Sequence, residues 1–165
     1  MPVNSTHLDY DANLAGWARA RAVIAGEDAV KAAGERFLPR LDAQTDDEYH
    51  AYKQRASFFN ATARTADGFV GLIFRRPPFL KLPPEESALS RALSVFKNDA
   101  DMLGNPLVSY AQNLVKEVLS VGRAGTLMDW EGDVENRVYA SLYAAENILN
   151  WRVERINDSF DMTSA

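Results

Sequence analysis

The chain has 165 residues, of which 47% are hydrophobic, and a formal net charge of −5. This profile predicts one globular domain with a buried core, and the negative charge excludes a surface that binds nucleic acid throughout, since phosphate binding needs dense lysine and arginine. The sequence shows no bilayer-spanning apolar run and no secretory signal, and the absence of cysteine excludes disulfides, thiolate metal sites and cysteine nucleophiles.

Two helices are predicted in the first 34 residues. Asp9 or Asp11 is placed to cap the first helix, whose apolar positions recur at helical spacing between Leu14 and Ile24. Gly26 is placed to end it. Residues 27–33 are rich in helix formers and predict a short second helix.

A third and a fourth helix follow. Thr45 or Asp46 is placed to cap the third, which has acidic residues in its first turn. Apolar and small residues step by three or four from Phe58 to Phe74, and Pro77 ends the run. We expect this fourth helix to be mostly buried.

The fifth and sixth helices are separated by a polar turn. A start signal at residues 83–86 precedes a face of apolar residues that reaches Phe96, and residues 98–104 form the turn. Asn105 and Pro106 predict the cap and first turn of the sixth helix, the clearest in the sequence, and Gly122 ends it.

After Gly122 the pattern changes to short alternating runs. Residues 126–130 and 138–143 predict a β-hairpin, residues 144–150 a turn or a single helical turn, and residues 151–156 a third strand. Residues 157–165 show no periodicity. Since two or three terminal strands make a poor independent sheet, we expect them to need a partner that this chain lacks.

The predicted fold is therefore mainly α with a small C-terminal β-hairpin or sheet. We treat residues 1–165 as a single domain, the N-terminal part of a longer protein. Its parts are a helical region at 8–122, a β-containing region at 123–156 and a tail at 157–165.

Charge is distributed unevenly along the chain. Residues 1–82 carry a net charge of +1 and residues 83–165 a net charge of −6. Within residues 53–81, six basic side chains accompany Asp67 alone. This stretch is either an ordinary solvated or ion-paired surface or a contact with an acidic partner.

No catalytic set is visible. His50 lies one helical turn after Asp46, a geometrically possible but weak metal pair. Asp99 and Asp101 fit turn hydrogen bonding better than ion binding. The glycines of residues 122–125 lead from a helix into a strand, the opposite direction to a phosphate-binding loop. We expect no enzyme activity, no cofactor and no metal.

Residues 60–68 place polar and small side chains in the fourth helix. Small residues allow helices to pack closely, with Asn60, Arg64 and Asp67 on the polar edge of the contact. Alternatively, the planar guanidinium of Arg64 makes a charged contact across a subunit boundary.

Several segments resemble portal-type proteins of tailed bacteriophages. They are residues 25–39, 59–65 and 67–78, then 118–125 followed by Asp129, and finally 143–152, in the order and at separations similar to those of that family. The resemblance covers roughly residues 8–156. Portal proteins are several hundred residues long, so these segments resemble only the N-terminal, wing-type region.

The resemblance implies a structural protein of the virion, assembled in the bacterial host cytoplasm. Copies of the chain would form a ring, usually of twelve, at one capsid vertex, where DNA is packaged and ejected. Capsid, terminase and tail proteins would be its partners, without a membrane and without recognition of a specific DNA sequence. We expect Arg64, Arg75 and Arg76 at the subunit interface, because arginine is enriched at interfaces and these residues lie in the basic stretch.

Two other functions remain open. The chain is alternatively a free-standing helical adaptor that binds another protein through an apolar helix face. A third possible function is a hydrolase whose metal ion is bound by oxygen ligands, for which surface carboxylates are the available side chains.

Overall fold

The computed structural model describes residues 4–81, 83–84, 87–156 and 159–163. Within these residues the fold has six α-helices followed by four strands, which confirms the mainly α class with a small C-terminal sheet. The helices are α1 (Leu8–Ala25), α2 (Glu27–Ala32), α3 (Asp46–Arg55), α4 (Ala61–Ile73), α5 (Ala88–Asn98) and α6 (Leu107–Val121). The strands are β1 (Ala124–Glu131), β2 (Arg137–Ala144), β3 (Arg152–Ile156) and β4 (Ser159–Thr163), and short 3₁₀ turns cover Gly34–Arg36 and Ala145–Asn147.

Helix α1 ends as predicted but begins earlier than predicted. Gly26 follows its last residue, and its N–H donates to the carbonyl of Ala22. The cap, however, is His7, whose ring Nδ1 accepts from the N–H of Asp9 at 3.1 Å. The prediction of Asp9 or Asp11 as the cap was wrong, and both lie in the first turn, where carboxylates suit the helix dipole.

The other helix starts follow local side-chain chemistry. Thr45 caps α3 in a reciprocal capping box with Glu48, as the sequence predicted. Asn105 does not cap α6, because its amide donates to Asp101 Oδ2 at 2.7 Å and holds it in the preceding turn. Ser87 caps α5. The start signal predicted there includes Glu85 and Glu86, which lie outside the described residues.

Strands β1 and β2 form the predicted antiparallel hairpin. They pair from Ala124 opposite Ala144 to Glu131 opposite Arg137. The hairpin begins directly after Gly122, whose φ of 79° is the left-handed conformation that glycine adopts at helix ends. A Cβ at Gly125 would lie 2.9 Å from Cδ1 of Ile148, so the end of that side chain would have to shift to admit a larger residue.

The third predicted strand does not join this hairpin. Strand β3 pairs instead with β4 in a second antiparallel sheet, with Arg152 opposite Thr163. The prediction that residues 157–165 have no secondary structure was therefore wrong for Ser159–Thr163. Polar and apolar residues alternate over those five positions, which is the pattern of a strand.

Six of the buried side chains in the described residues form two small clusters. Tyr10 and Trp17 of α1 pack with Ala145, and Tyr110 of α6 packs with Ala100 and Ala140. Helix α4 contributes only Ala66, so the prediction of a mostly buried fourth helix was wrong. The sequence does contain an apolar stripe, but in the described residues only one side of the helix packs against other elements of the chain.

The accessible surface of the chain is 11982 Å². A folded monomer of 18.3 kDa is expected to expose about 8,100 Å². The surface is thus roughly half as large again as that of a compact monomer of this mass. Large hydrophobic side chains contribute to this surface, since Leu8, Phe79 and Val134 are each more than 80% exposed.

Candidate subunit interface

Helix α4 is held to the rest of the chain along one side. Asn60 caps it by accepting from the N–H of Ala63 at 2.9 Å, and its amide donates to the carbonyl of Ile24 in α1 at 3.0 Å. Further along, Asp67 forms an ion pair with Lys116 of α6 at 2.7 Å. The inner side of α4 is that of the buried Ala66, and Asn60 and Asp67 tie one edge of it to the scaffold, which accounts for two of the polar residues in the segment 60–68.

The side of α4 that lies opposite the buried Ala66 is open. Arg64 is exposed, and its guanidinium lies 5.0 Å from the ring centroid of Phe59, itself exposed. Gly68 and Gly71 follow Arg64 at four and seven residues, on the same face of the helix. A Cβ at either glycine would meet no atom of the chain within 4 Å, so packing within the chain does not require a glycine at either position.

The segment that follows α4 is exposed as well. Arg75 and Arg76 are exposed directly after the C-cap residue Phe74, and Leu72 is 65% exposed. The chain then passes through two prolines to Phe79, which is 90% exposed. We call the exposed residues Arg64, Gly68, Gly71, Leu72 and 75–81 the outer α4 surface.

The three arginines predicted for an interface are all exposed, one on α4 and two directly after it. Among the described residues, none of the three has an ion-pair partner, and Arg64 rests only on an aromatic ring. The surface combines arginines without an ion-pair partner among the described residues, exposed apolar side chains, and two glycines that leave the helix backbone uncovered. These are properties of a surface that another molecule covers.

A partly buried charge cluster stabilises the scaffold behind this surface. Arg21 of α1 donates two hydrogen bonds to Glu117 of α6, at 2.9 and 2.6 Å, and two to Glu146, both at 2.9 Å. The hydrogen bonds from Arg21 lower the pKa of the Glu146 carboxyl. Paired hydrogen bonds of this kind fix the orientation of guanidinium and carboxylate, so the cluster sets how α1, α6 and the turn at Glu146 meet.

An aromatic stack lies on the same framework. The indole of Trp151 is stacked with the ring of His7 at a centroid distance of 4.0 Å and carries the guanidinium of Arg123 at 3.5 Å. Burial lowers the pKa of Arg123. The stack ties the start of α1 to the start of β1 and to the segment before β3.

The residues considered for metal binding form hydrogen bonds and ion pairs with neighbours in the sequence. Asp46 pairs with Arg40 at 2.5 Å rather than with His50, which contacts Gln54. Asp99 and Asp101 accept from backbone N–H groups in their turn, as the sequence predicted. Within the described ranges, no three His, Asp or Glu side chains are grouped to hold a metal ion.

No known family model matches the sequence, and no curated protein resembles it significantly. No α-helix in the described part of the chain is both long and apolar enough to cross a bilayer.

Sequence reasoning missed two features of this region. The exposure of α4 depends on which helices surround it. An apolar stripe with a 3.6-residue period occurs both in a helix buried within one chain and in a helix that binds a partner, so the sequence does not distinguish the two. The exposed apolar side of the hairpin was missed too. Its signal was present, since Met128, Trp130 and Val138 lie among charged residues.

Proposed function

We propose that this chain is a structural subunit of a homo-oligomeric ring, the N-terminal, wing-type part of a phage-portal-type protein. Its function is to hold neighbouring copies together at the vertex where DNA passes, and it catalyses no reaction. The packaging terminase, capsid and tail proteins would contact the assembled ring. The DNA channel would be built elsewhere in the protein.

The observation that carries this proposal is the outer α4 surface. Arg64, Arg75 and Arg76 have no ion-pair partner among the described residues, and Leu72 and Phe79 beside them are largely exposed. A monomeric domain gains nothing from this arrangement, whereas a subunit buries it on assembly. The similarity of the segments 25–39, 59–78 and 143–152 to portal-type proteins supports the family assignment.

A helical adaptor is the second candidate. The same exposed apolar side of α4 suits an adaptor that binds a different protein through a helix face. The two functions differ in solution mass, because an adaptor without its partner is a monomer and a ring subunit associates with itself.

Native mass spectrometry and electron microscopy of the purified protein test the proposal. We expect concentration-dependent self-association that ends in closed rings of one stoichiometry. A protein that stays monomeric at every concentration up to its solubility limit would favour the adaptor. A large terminase gene immediately upstream of the coding sequence would support the portal assignment independently.

A further inference from the structure

We propose that the tip of the β1–β2 hairpin of one copy docks on the outer α4 surface of the next copy. The hairpin tip comprises residues 127–138. This inference rests on the proposed oligomeric function and names the two surfaces that meet.

The hairpin tip extends beyond the helices that support its base. Near the base, Tyr110 of α6 donates to Thr126 Oγ1 at 3.0 Å, and Ala140 is buried. Further out, the register places Met128, Trp130 and Val138 on the same face as Thr126 and Ala140. These three side chains are exposed by 53%, 55% and 38% although they continue the buried face.

The charges of the two surfaces are complementary. Residues 129–137 carry four carboxylates and one arginine, a net charge of −3. Residues 64–81 carry four basic side chains and one aspartate, a net charge of +3. Three of these charges are already paired within the chain, because Arg137 pairs with Asp99 and with Glu135, and Asp67 pairs with Lys116.

Within one chain, the remaining charges of the hairpin tip are not paired with those of the outer α4 surface. In the part of the chain that the structure describes, no ion pair joins the hairpin tip to the outer α4 surface. Complementary potentials speed association and fix which surfaces meet. A symmetric contact between two hairpin tips would instead oppose like charges, so the occupant is the α4 surface of another copy.

The hairpin tip is also ordered before it binds. The Glu131 carboxylate accepts from the backbone N–H groups of four successive loop residues, at distances between 2.7 and 3.2 Å. A preformed loop loses little conformational entropy on docking. On the other side, Gly68 and Gly71 leave the α4 backbone bare, so a bulky side chain such as Trp130 can approach the helix closely.

Two different surfaces of the same chain meet in this contact. Such a heterologous contact closes into a ring when the rotation between copies divides a full turn, and otherwise forms an open filament. The contact is therefore compatible with the ring proposed above but does not depend on its size.

The lack of cysteine in the chain allows a direct disulfide test. Val134→Cys marks the hairpin tip and Leu72→Cys marks the outer α4 surface, and both native side chains are highly exposed. The two variants are mixed, oxidised at low salt and analysed by mass spectrometry of the joined peptides. A mixture of Val134→Cys with Leu41→Cys, an exposed loop position, is the matched control.

We expect the Val134–Leu72 disulfide to exceed the control disulfide several-fold. Adding Arg75→Glu and Arg76→Glu to the Leu72→Cys chain should abolish the excess. Adding Asp133→Lys and Glu135→Lys to the Val134→Cys chain should then restore it. Equal yields in the two mixtures, or a dominant disulfide between two Val134→Cys chains, would overturn the contact.

Electron microscopy of the unmodified protein separates this contact from the proposed function. Rings without an excess of the Val134–Leu72 disulfide would overturn the contact and leave the ring proposal standing. An excess of that disulfide in a protein that forms only open chains would keep the contact and overturn the ring.

Discussion

At the residue scale, Arg21 is the side chain that links the most elements of the scaffold. It joins α1 to Glu117 of α6 and to Glu146 after β2 through four hydrogen bonds. All three side chains are partly shielded from solvent. Removal of the guanidinium would leave two carboxylates close together with no cation between them.

We expect Arg21→Ala to lower the free energy of unfolding by about 2 kcal/mol, because charge-assisted hydrogen bonds are lost and the carboxylates repel each other. Urea unfolding followed by circular dichroism measures this loss. Arg19→Ala, on the same helix but exposed, is the control and should change stability much less. A similar loss for both variants would show that the cluster is not a structural link.

The hairpin tip gives a pH-dependent prediction. The N–H groups of Val134 and Glu135, with those of two neighbours, lower the pKa of Glu131 from 4.5 to about 2. Since the folded pKa is the lower one, the stabilisation is complete above about pH 5 and is lost as the pH falls toward 2.

We therefore expect Glu131→Gln to lower the unfolding temperature most at neutral pH and least near pH 2. Glu35→Gln controls for the removal of one glutamate charge. A difference between wild type and Glu131→Gln that stays constant from pH 7 to pH 2 would contradict the assigned role of the carboxylate.

At the element scale, α4 contains two glycines that weaken the helix and lie on its open side. Glycine within a helix costs about 0.5–1 kcal/mol relative to alanine, and neither Gly68 nor Gly71 is required by a neighbour within the chain. Residues that weaken their own helix on an open face indicate a function outside the folding of the monomer.

We expect Gly71→Ala to raise the stability of the unassembled chain by roughly 0.5–1 kcal/mol and to weaken self-association. Denaturant melts at low concentration measure the first effect, and sedimentation at high concentration measures the second. Gly16→Ala in α1, where a Cβ also meets no atom within 4 Å, is the matched control. It should stabilise the chain without changing association.

At the scale of the whole molecule, the accessible surface is larger than that of a compact monomer of the same mass, and many large hydrophobic side chains are exposed. The exposed arginines of the outer α4 surface give it a charge that salt can screen. We expect Arg75→Glu with Arg76→Glu to weaken ring assembly in a salt-dependent manner without unfolding the domain. Electron micrographs showing normal rings in normal yield would contradict this assignment.

The matched control for that variant reverses two other arginines. Arg19→Glu with Arg55→Glu produces the same change in charge at exposed positions on α1 and α3. Equal loss of assembly in both variants would show that net charge, and not the outer α4 surface, controls association.

Binding to DNA is expected to be weak. The net charge of −5 opposes phosphate contacts, and the basic surface is assigned to a protein neighbour. Fluorescence anisotropy with duplex DNA at low salt should show little binding by this chain. Tight, salt-sensitive binding would instead contradict the proposed placement of this region away from DNA.

The sequence by itself determined most of the elements of this protein. Gly26 and Gly122 end helices because few other residues adopt the required backbone, and the Thr45 capping box is complete within four residues. The hairpin after Gly122 followed from its alternating pattern. These signals are local, so they need no knowledge of the neighbouring elements.

Only the tertiary structure decided which apolar surfaces are buried. The sequence showed an apolar stripe in both α4 and α6, yet within the described residues α4 buries only Ala66, with Asn60 and Asp67 tying the edge of that contact to α1 and α6. Arg64, Arg75 and Arg76 were predicted only as part of a basic stretch of sequence. Their exposure depends on packing, since burial is a property of the space around a side chain.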